Sequence, residues 1–293
     1  MIIVKLMGGI GNQLFQYATG RALAIKHHTE LKVDLSFLNK EIDITYTKRN
    51  LELDVFNASY KVASSEELEL FSKKNILQKT LKKYFNINLT KYYIANQSGF
   101  EYDKNYLSFP ENTLLIGFWQ SEKFFISIKE ILLQELIVKK TMTKDCLMAH
   151  DAIVNSNSVS LHIRRGDYVS DKNANTFHGT LPLEYYYNAM NYLNLLTPNL
   201  KVFVFSDDID WVKSNLTLQN ESVYIDFNKN ENSVFDMYLM SLCKYNVIAN
   251  SSFSWWGAWL NQHTNKIVIA PKQWFADKKI ITKDLIPNSW IQL

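Results

Sequence analysis

Five short apolar runs in the second half of this chain constrain its fold most: Val159–Ile163, Lys201–Phe205, Ser222–Ile225, Tyr245–Ala249 and Lys266–Ala270. Each has the length of a buried strand. Stretches with helical character lie among them, at Leu183–Leu195, Ile209–Asn215, Val234–Cys243 and Phe253–Asn261. Repeated strand–helix alternation predicts a parallel sheet with helices on both faces. The chain opens in the same style. The apolar run Ile2–Leu6 leads into Gly8-Gly9-Ile10-Gly11-Asn12-Gln13. Leu14, Phe15, Ala18, Ala22 and Ile25 then fall on one stripe of a 3.6-residue period, and Leu31–Asp34 reads as the next strand. This β-loop-α-β order is a Rossmann-like start.

Between these regions, Ser64–Phe71 and Phe124–Val138 read as helices and Thr113–Phe118 as a strand, whereas Tyr84–Pro110 reads as loops. A length of 293 residues suits two domains. The polar run Asn155-Ser156-Asn157-Ser158 helps to place the boundary, giving domains at 1–150 and 151–293. Two such units suggest an α/β protein with paired Rossmann-like domains facing a central cleft.

Net charge is +3 and the basic residues are scattered. No Lys/Arg stripe of the kind that grips nucleic acid is present. Cys146 and Cys243 have neither metal-ligand spacing nor the pattern of a disulfide framework. The opening Met1–Met7 is too short and soon too glycine-rich for a signal peptide, and no run reaches the roughly 18 apolar residues that span a bilayer. The expectation is a soluble cytoplasmic protein, with peripheral attachment to an anionic membrane left open.

Four segments carry chemistry. In His162-Ile163-Arg164-Arg165-Gly166-Asp167-Tyr168, strand alternation puts His162 and Arg164 on one face and Arg165 on the other. A guanidinium fork matches two phosphate oxygens and keeps its charge. The plainer reading is an arginine paired with a carboxylate such as Asp167. Gly8–Gln13 either makes a tight turn or cradles a ligand: Gly9 and Gly11 permit close backbone approach, and Asn12 and Gln13 can meet hydroxyls or phosphate oxygens. It matches neither a P-loop nor a full G-x-G-x-x-G.

Phe205-Ser206-Asp207-Asp208-Ile209-Asp210 follows a strand and opens a helix, so Ser206 or Asp207 serves as a cap or a carboxylate there reads a base edge. Asp208 and Asp210 spell D-x-D. Two residues apart on a helix they do not face one another, which argues against a shared metal. In Asn250-Ser251-Ser252-Phe253-Ser254-Trp255-Trp256 the hydroxyls can cap a helix or bind phosphate, while the tryptophans suit the core. Ser233 and Asp236 have capping-box spacing, so Asp236 is first a helix-start residue. His178, in an expected loop, is a candidate acid/base.

Taken in order, these segments resemble the bacterial α-1,2-fucosyltransferases, the inverting, GDP-fucose-using enzymes of glycosyltransferase family 11. The resemblance spans nearly the whole chain, although Asn39 to Pro110 carries no matching motif. It implies a GT-B type fold, with GDP-fucose held by the C-terminal half and a galactose-terminated glycan acceptor shaped by the N-terminal half. By that resemblance Arg164 grips the β-phosphate, and His162 with Asp207 or Asp208 reads the guanine side. Ser251 and Ser252 line the phosphate pocket, while Asn12 and Gln13 face the donor. It also implies that no metal or other cofactor is needed, and a place in O-antigen, capsule or other surface-glycan synthesis. The base is open among Asp167, Asp171 and His178, with Asp167 leading on its position beside the arginine. Two other readings compete. One is a metal-dependent glycosyltransferase using Asp208 and Asp210 with another sugar nucleotide. The other is a glycan- or nucleotide-binding protein without turnover.

Overall fold

In the computed structural model, residues 1–40, 49–72, 92–166 and 176–293 are described. The chain divides into two compact units, Met1–Ile137 with Lys283–Leu285, and Val138–Thr282 with Ile286–Leu293. The division precedes the helix Lys144–Val154, whereas a boundary at residue 150 would cut that helix.

The first unit is built on a parallel sheet of β1 (Ile2–Lys5), β2 (Leu31–Asp34), β3 (Lys61–Val62), β4 (Tyr93–Asn96) and β5 (Thr113–Ile116). Their order is β3-β2-β1-β5-β4. The helix Ile10–Lys26 makes the β1–β2 crossover, and its apolar stripe is buried as the 3.6-residue pattern requires. Three elements differ from expectation, the first being the exposed two-residue edge strand β3, which no apolar run marked. β4 lies in the stretch read as loops. It is an edge strand with only Ala95 buried among its four residues, so it lacks a strong apolar signal. The expected helix Phe124–Val138 is instead two short 3₁₀ turns followed by the helix Lys129–Glu135.

The second unit holds β6 (Asn157–Ile163), β7 (Leu200–Ser206), β8 (Glu221–Ile225), β9 (Tyr245–Val247), β10 (Ile267–Ala270) and β11 (Ile291–Gln292). They form a parallel sheet in the order β11-β10-β9-β6-β7-β8. Period-2 alternation along β6 sorts its side chains. Val159, Leu161 and Ile163 join Tyr186, Ala189 and Leu193 of the helix Leu183–Leu196 in one core. Complete burial of side chains of this size stabilises by roughly 1.5–3 kcal/mol each.

The alternate residues Ser158, Ser160 and His162 are buried and polar. Asn246 Nδ2 donates to Ser160 Oγ and to the Met240 carbonyl, each at 2.7 Å. Asn261 Nδ2 in turn donates to Asn246 Oδ1 at 2.7 Å. This satisfied network lies on the same face of β6 as His162 and ties β6 to β9. Trp255 and Trp256 are fully buried, consistent with the expected core role.

Candidate functional site

Parallel sheets gather their loops at the carboxyl ends of the strands. In the second unit the segments after β6, β7 and β9 meet there. The parallel register sets Ile163 beside Ser206, so the residues after both strands emerge as neighbours. Arg164 Nη1 lies 2.9 Å from Asp207 Oδ2. Asp207 Oδ1 accepts from the Arg165 backbone N–H at 2.8 Å. One carboxylate therefore holds both the guanidinium and the turn that carries it. Gly166 closes this arrangement: a Cβ there would fall 2.6 Å from Asp207 Oδ2, so no larger residue fits without displacing the clamp.

Arg165 turns the other way, as strand alternation requires. Its Nε donates to Asp208 Oδ2 at 3.2 Å, and its guanidinium carbon stacks 3.4 Å from the Trp211 ring centre. Asp208, rather than Ser206 or Asp207, also caps the helix Ile209–Asn215, accepting from the Trp211 N–H at 3.4 Å. Asp210 lies inside that helix, and no cluster of three or more His, Cys, Asp or Glu suited to a metal occurs among the described residues.

His162 is 5% exposed and rests against Phe253, with ring centres 6.0 Å apart. Burial pushes its pKa down to about 4; nearby Asp207 opposes the shift and Arg164 reinforces it. At neutral pH the ring is uncharged, able to donate at one nitrogen and accept at the other. Its Nδ1 has no hydrogen-bond partner among the described residues. A buried polar atom without a partner carries a desolvation cost unless a ligand or water supplies one.

After β9, Ser251 caps the helix Ser252–Trp259 by accepting from the Phe253 N–H at 3.3 Å. Asn250 Nδ2 donates to the carbonyls of His178 at 3.0 Å, Gly179 at 3.1 Å and Trp274 at 3.1 Å. The backbone at 176–178 is helical where a loop was expected. The His178 ring is half-buried against Phe177 and Phe275. Asp167 and Asp171 lie outside the described residues.

Asp236 does lie in the first turn of its helix, but the capping box with Ser233 does not form. Ser233 begins the helix Val234–Leu242 without a side-chain cap, and the Asp236 carboxylate instead accepts from Asn228 Nδ2 at 2.8 Å. Asp236 keeps some exposed surface yet is densely surrounded by protein, and burial pushes its carboxyl up to about 7 against the Asn228 bond. Asn228 Oδ1 has no partner among the described residues. Asn228 follows β8, and no motif in the sequence marked it.

In the first unit, Gly9 precedes the helix Ile10–Lys26 and Gly11 is buried in its first turn. Gln13 is fully buried. It donates to the Gly8 carbonyl at 2.9 Å and the Asn50 carbonyl at 2.8 Å, and accepts from the Glu52 N–H at 2.9 Å. Both amide protons are engaged by backbone, so the expected ligand contact becomes an internal strut. The Glu52 carboxylate accepts from the Ile10 N–H at the head of the helix, and burial raises its pKa against that bond and the nearby Arg49 charge. The positive helix end is thus met from within. Asn12 is partly exposed, and its Oδ1 accepts from Gln120 Nε2 at 2.7 Å.

The family model described as Glycosyl transferase family 11 matches residues 1–293. The chain belongs to glycosyl transferase family 11. Family 11 relatives match it end to end. An Escherichia coli protein named alpha-1,2-colitosyltransferase is 35% identical, covering 100% of this chain and 99% of its own. The E. coli O-antigen biosynthesis glycosyltransferase WbnK is 34% identical, covering 98% of this chain and 99% of its own. Among solved structures, the fucosyltransferase NodZ from Bradyrhizobium is 14% identical, with a TM-score of 0.47 over 88% of this chain and 92% of that one. No helix among the described residues of this family 11 glycosyltransferase is long and apolar enough to cross a membrane.

Proposed function

We propose that this glycosyltransferase moves a fucose-type sugar from its GDP-linked donor to the 2-hydroxyl of a terminal β-galactose, with inversion. The observation that carries the proposal is the Arg164–Asp207 pair, with neutral His162 behind it, at the carboxyl edge of the second sheet. In the proposed step the acceptor oxygen bonds to the sugar C1 while the bond from C1 to the β-phosphate oxygen breaks, and GDP leaves. Negative charge grows on the diphosphate. Arg164, held in place before the reaction, supplies a bidentate donor for it, and a preorganised donor of this kind is worth about 3–4 kcal/mol. His162 supplies a neutral hydrogen-bonding edge for the base, and Ser251 and Ser252 supply hydroxyls beside the phosphates. The acceptor proton passes to Asp167 or His178 in this reading, and no metal is called on.

A second donor is favoured by one finding, because a relative 35% identical is named for colitose. Colitose is fucose without its 3-hydroxyl, so the same phosphate and base contacts serve either donor. The 34% identity to WbnK, an O-antigen biosynthesis glycosyltransferase, supports a place in O-antigen synthesis. The test is GDP release from GDP-fucose and from GDP-colitose, each with and without lactose, in excess EDTA. Lactose-stimulated release from either donor supports the reaction and names the sugar. Release that appears only when Mn²⁺ is restored overturns the metal-independent reading, and release indifferent to lactose removes the galactoside.

A further inference from the structure

The first unit contains a surface that the donor chemistry leaves unused. β5 ends at Ile116, and the chain then runs through Gly117-Phe118-Trp119-Gln120 at the carboxyl edge of the first sheet. Three side-chain amides hold this segment. Gln16 Nε2 donates to the Gly117 carbonyl at 3.2 Å, Gln97 Oε1 accepts from the Trp119 N–H at 2.5 Å, and Gln120 Nε2 donates to Asn12 at 2.7 Å.

The backbone here is strained. Gly117 has φ 146°, and a Cβ there would lie 2.7 Å from the Gln97 Cβ. Trp119 has φ 55°, a costly conformation for a bulky residue and one that recurs at ligand sites. The strain separates two adjacent rings. Trp119 is 1% exposed and packs edge-on against Phe124, with ring centres 5.3 Å apart. Phe118 is 37% exposed at the same edge. Trp119 is thus taken up by packing, whereas over a third of the Phe118 surface faces outward.

We propose that Phe118, two residues from Gln120, whose amide is bonded to Asn12, is part of the subsite for the acceptor sugar, the Phe118 ring lying under the sugar's apolar C–H face. A flat ring beside side-chain amides matches a hexose, which has one apolar face and a rim of hydroxyls. Such a pair does not suit a phosphate, since it brings no cation. The helix end at Ile10 is already met by Glu52, so phosphate has little to gain there. This moves Asn12 from the donor to the acceptor. The inference rests on the galactoside reading above.

The test compares wild type with Phe118→Ala, Phe118→Leu, Phe118→Tyr and Asn12→Ala in full-length enzyme. Phe118→Ala and Phe118→Leu should raise the lactose KM by about tenfold or more. The donor KM and donor hydrolysis without lactose should stay within about twofold, a change worth well under 1 kcal/mol. Phe118→Tyr, which keeps the ring, should restore the lactose KM, and Asn12→Ala should raise it to a smaller extent. An unchanged lactose KM in Phe118→Ala overturns the proposal, as does full activity in Phe118→Leu. Saturation-transfer NMR with lactose, galactose and glucose needs no turnover. Signal lost in Phe118→Ala supports the subsite even if the transfer reaction fails. Absence of signal from all three sugars with wild type overturns it.

Discussion

Arg164 Nη1 lies 2.9 Å from Asp207 Oδ2, and the other oxygen of the same carboxylate takes the Arg165 N–H at 2.8 Å. The two bonds fix the position and direction of the guanidinium before any anion arrives. An arginine held in this way loses little conformational entropy on binding phosphate, which is the advantage of preorganisation.

Arg164 and Arg165 should therefore separate cleanly on mutation. Arg164→Ala should lower kcat by about 10²–10³. Arg164→Lys should recover little of that, since a point charge replaces the fork. Arg165→Ala removes the stack on Trp211 and should lower stability by about 0.5–2 kcal/mol, with a small effect on kcat. Steady-state kinetics with thermal melts decide it. Equal kcat losses in two well-folded variants would contradict the facing of the two side chains.

Asp207 should act through Arg164. Asp207→Asn weakens the clamp without changing its shape, and a loss of about 10–100-fold in kcat/KM is expected, as for other groups that orient a ligand-binding side chain. Gly166→Ala should match it by steric means, because its Cβ would meet Asp207 Oδ2 at 2.6 Å. A Gly166→Ala enzyme with wild-type kinetics would show that the clamp yields freely.

Asp236 gives a pH dependence of stability. Its carboxyl titrates near 7 in the folded chain, above the ordinary value of 3.8. Below about 4 both states are protonated and its contribution is complete. As pH rises toward 7 the unfolded chain ionises first, so this contribution is lost. Asp236→Asn should therefore gain stability relative to wild type between pH 4 and pH 8, by about 1 kcal/mol given its partial exposure. Denaturant midpoints of both proteins across that range provide the check. A parallel pair of curves would show that Asp236 titrates normally.

Ser251 should report on both stability and donor binding. Ser251→Ala removes the cap on the Phe253 N–H and should cost about 1 kcal/mol. If the hydroxyl also meets phosphate, the donor KM rises while the lactose KM holds. A stability loss with both constants unchanged would confine Ser251 to capping.

The sequence made the central parts of both sheets legible because β1, β6, β7 and β9 are largely buried and carry apolar residues on at least one face. β3, β4 and β11 escaped notice because edge strands need little apolar pattern. The facing of His162 and Arg164 followed from strand alternation. The partner of Arg164 did not, since Asp207 comes from the neighbouring strand and only the parallel register brings them together. Gln13 stood in a plausible ligand motif, yet its role is set by the backbone at Asn50 and Glu52, a contact no local pattern encodes. Asp236 had capping spacing, and tertiary burial gave it a different partner.

The Asn250 amide has only two protons and serves three carbonyls, at His178, Gly179 and Trp274. Those segments are far apart in the chain but share one fastener. An insertion or deletion in either segment would shift carbonyls that the other has no means to follow. Loop grafting around His178 should therefore succeed only when residues 176–179 and the turn at 274 are exchanged together.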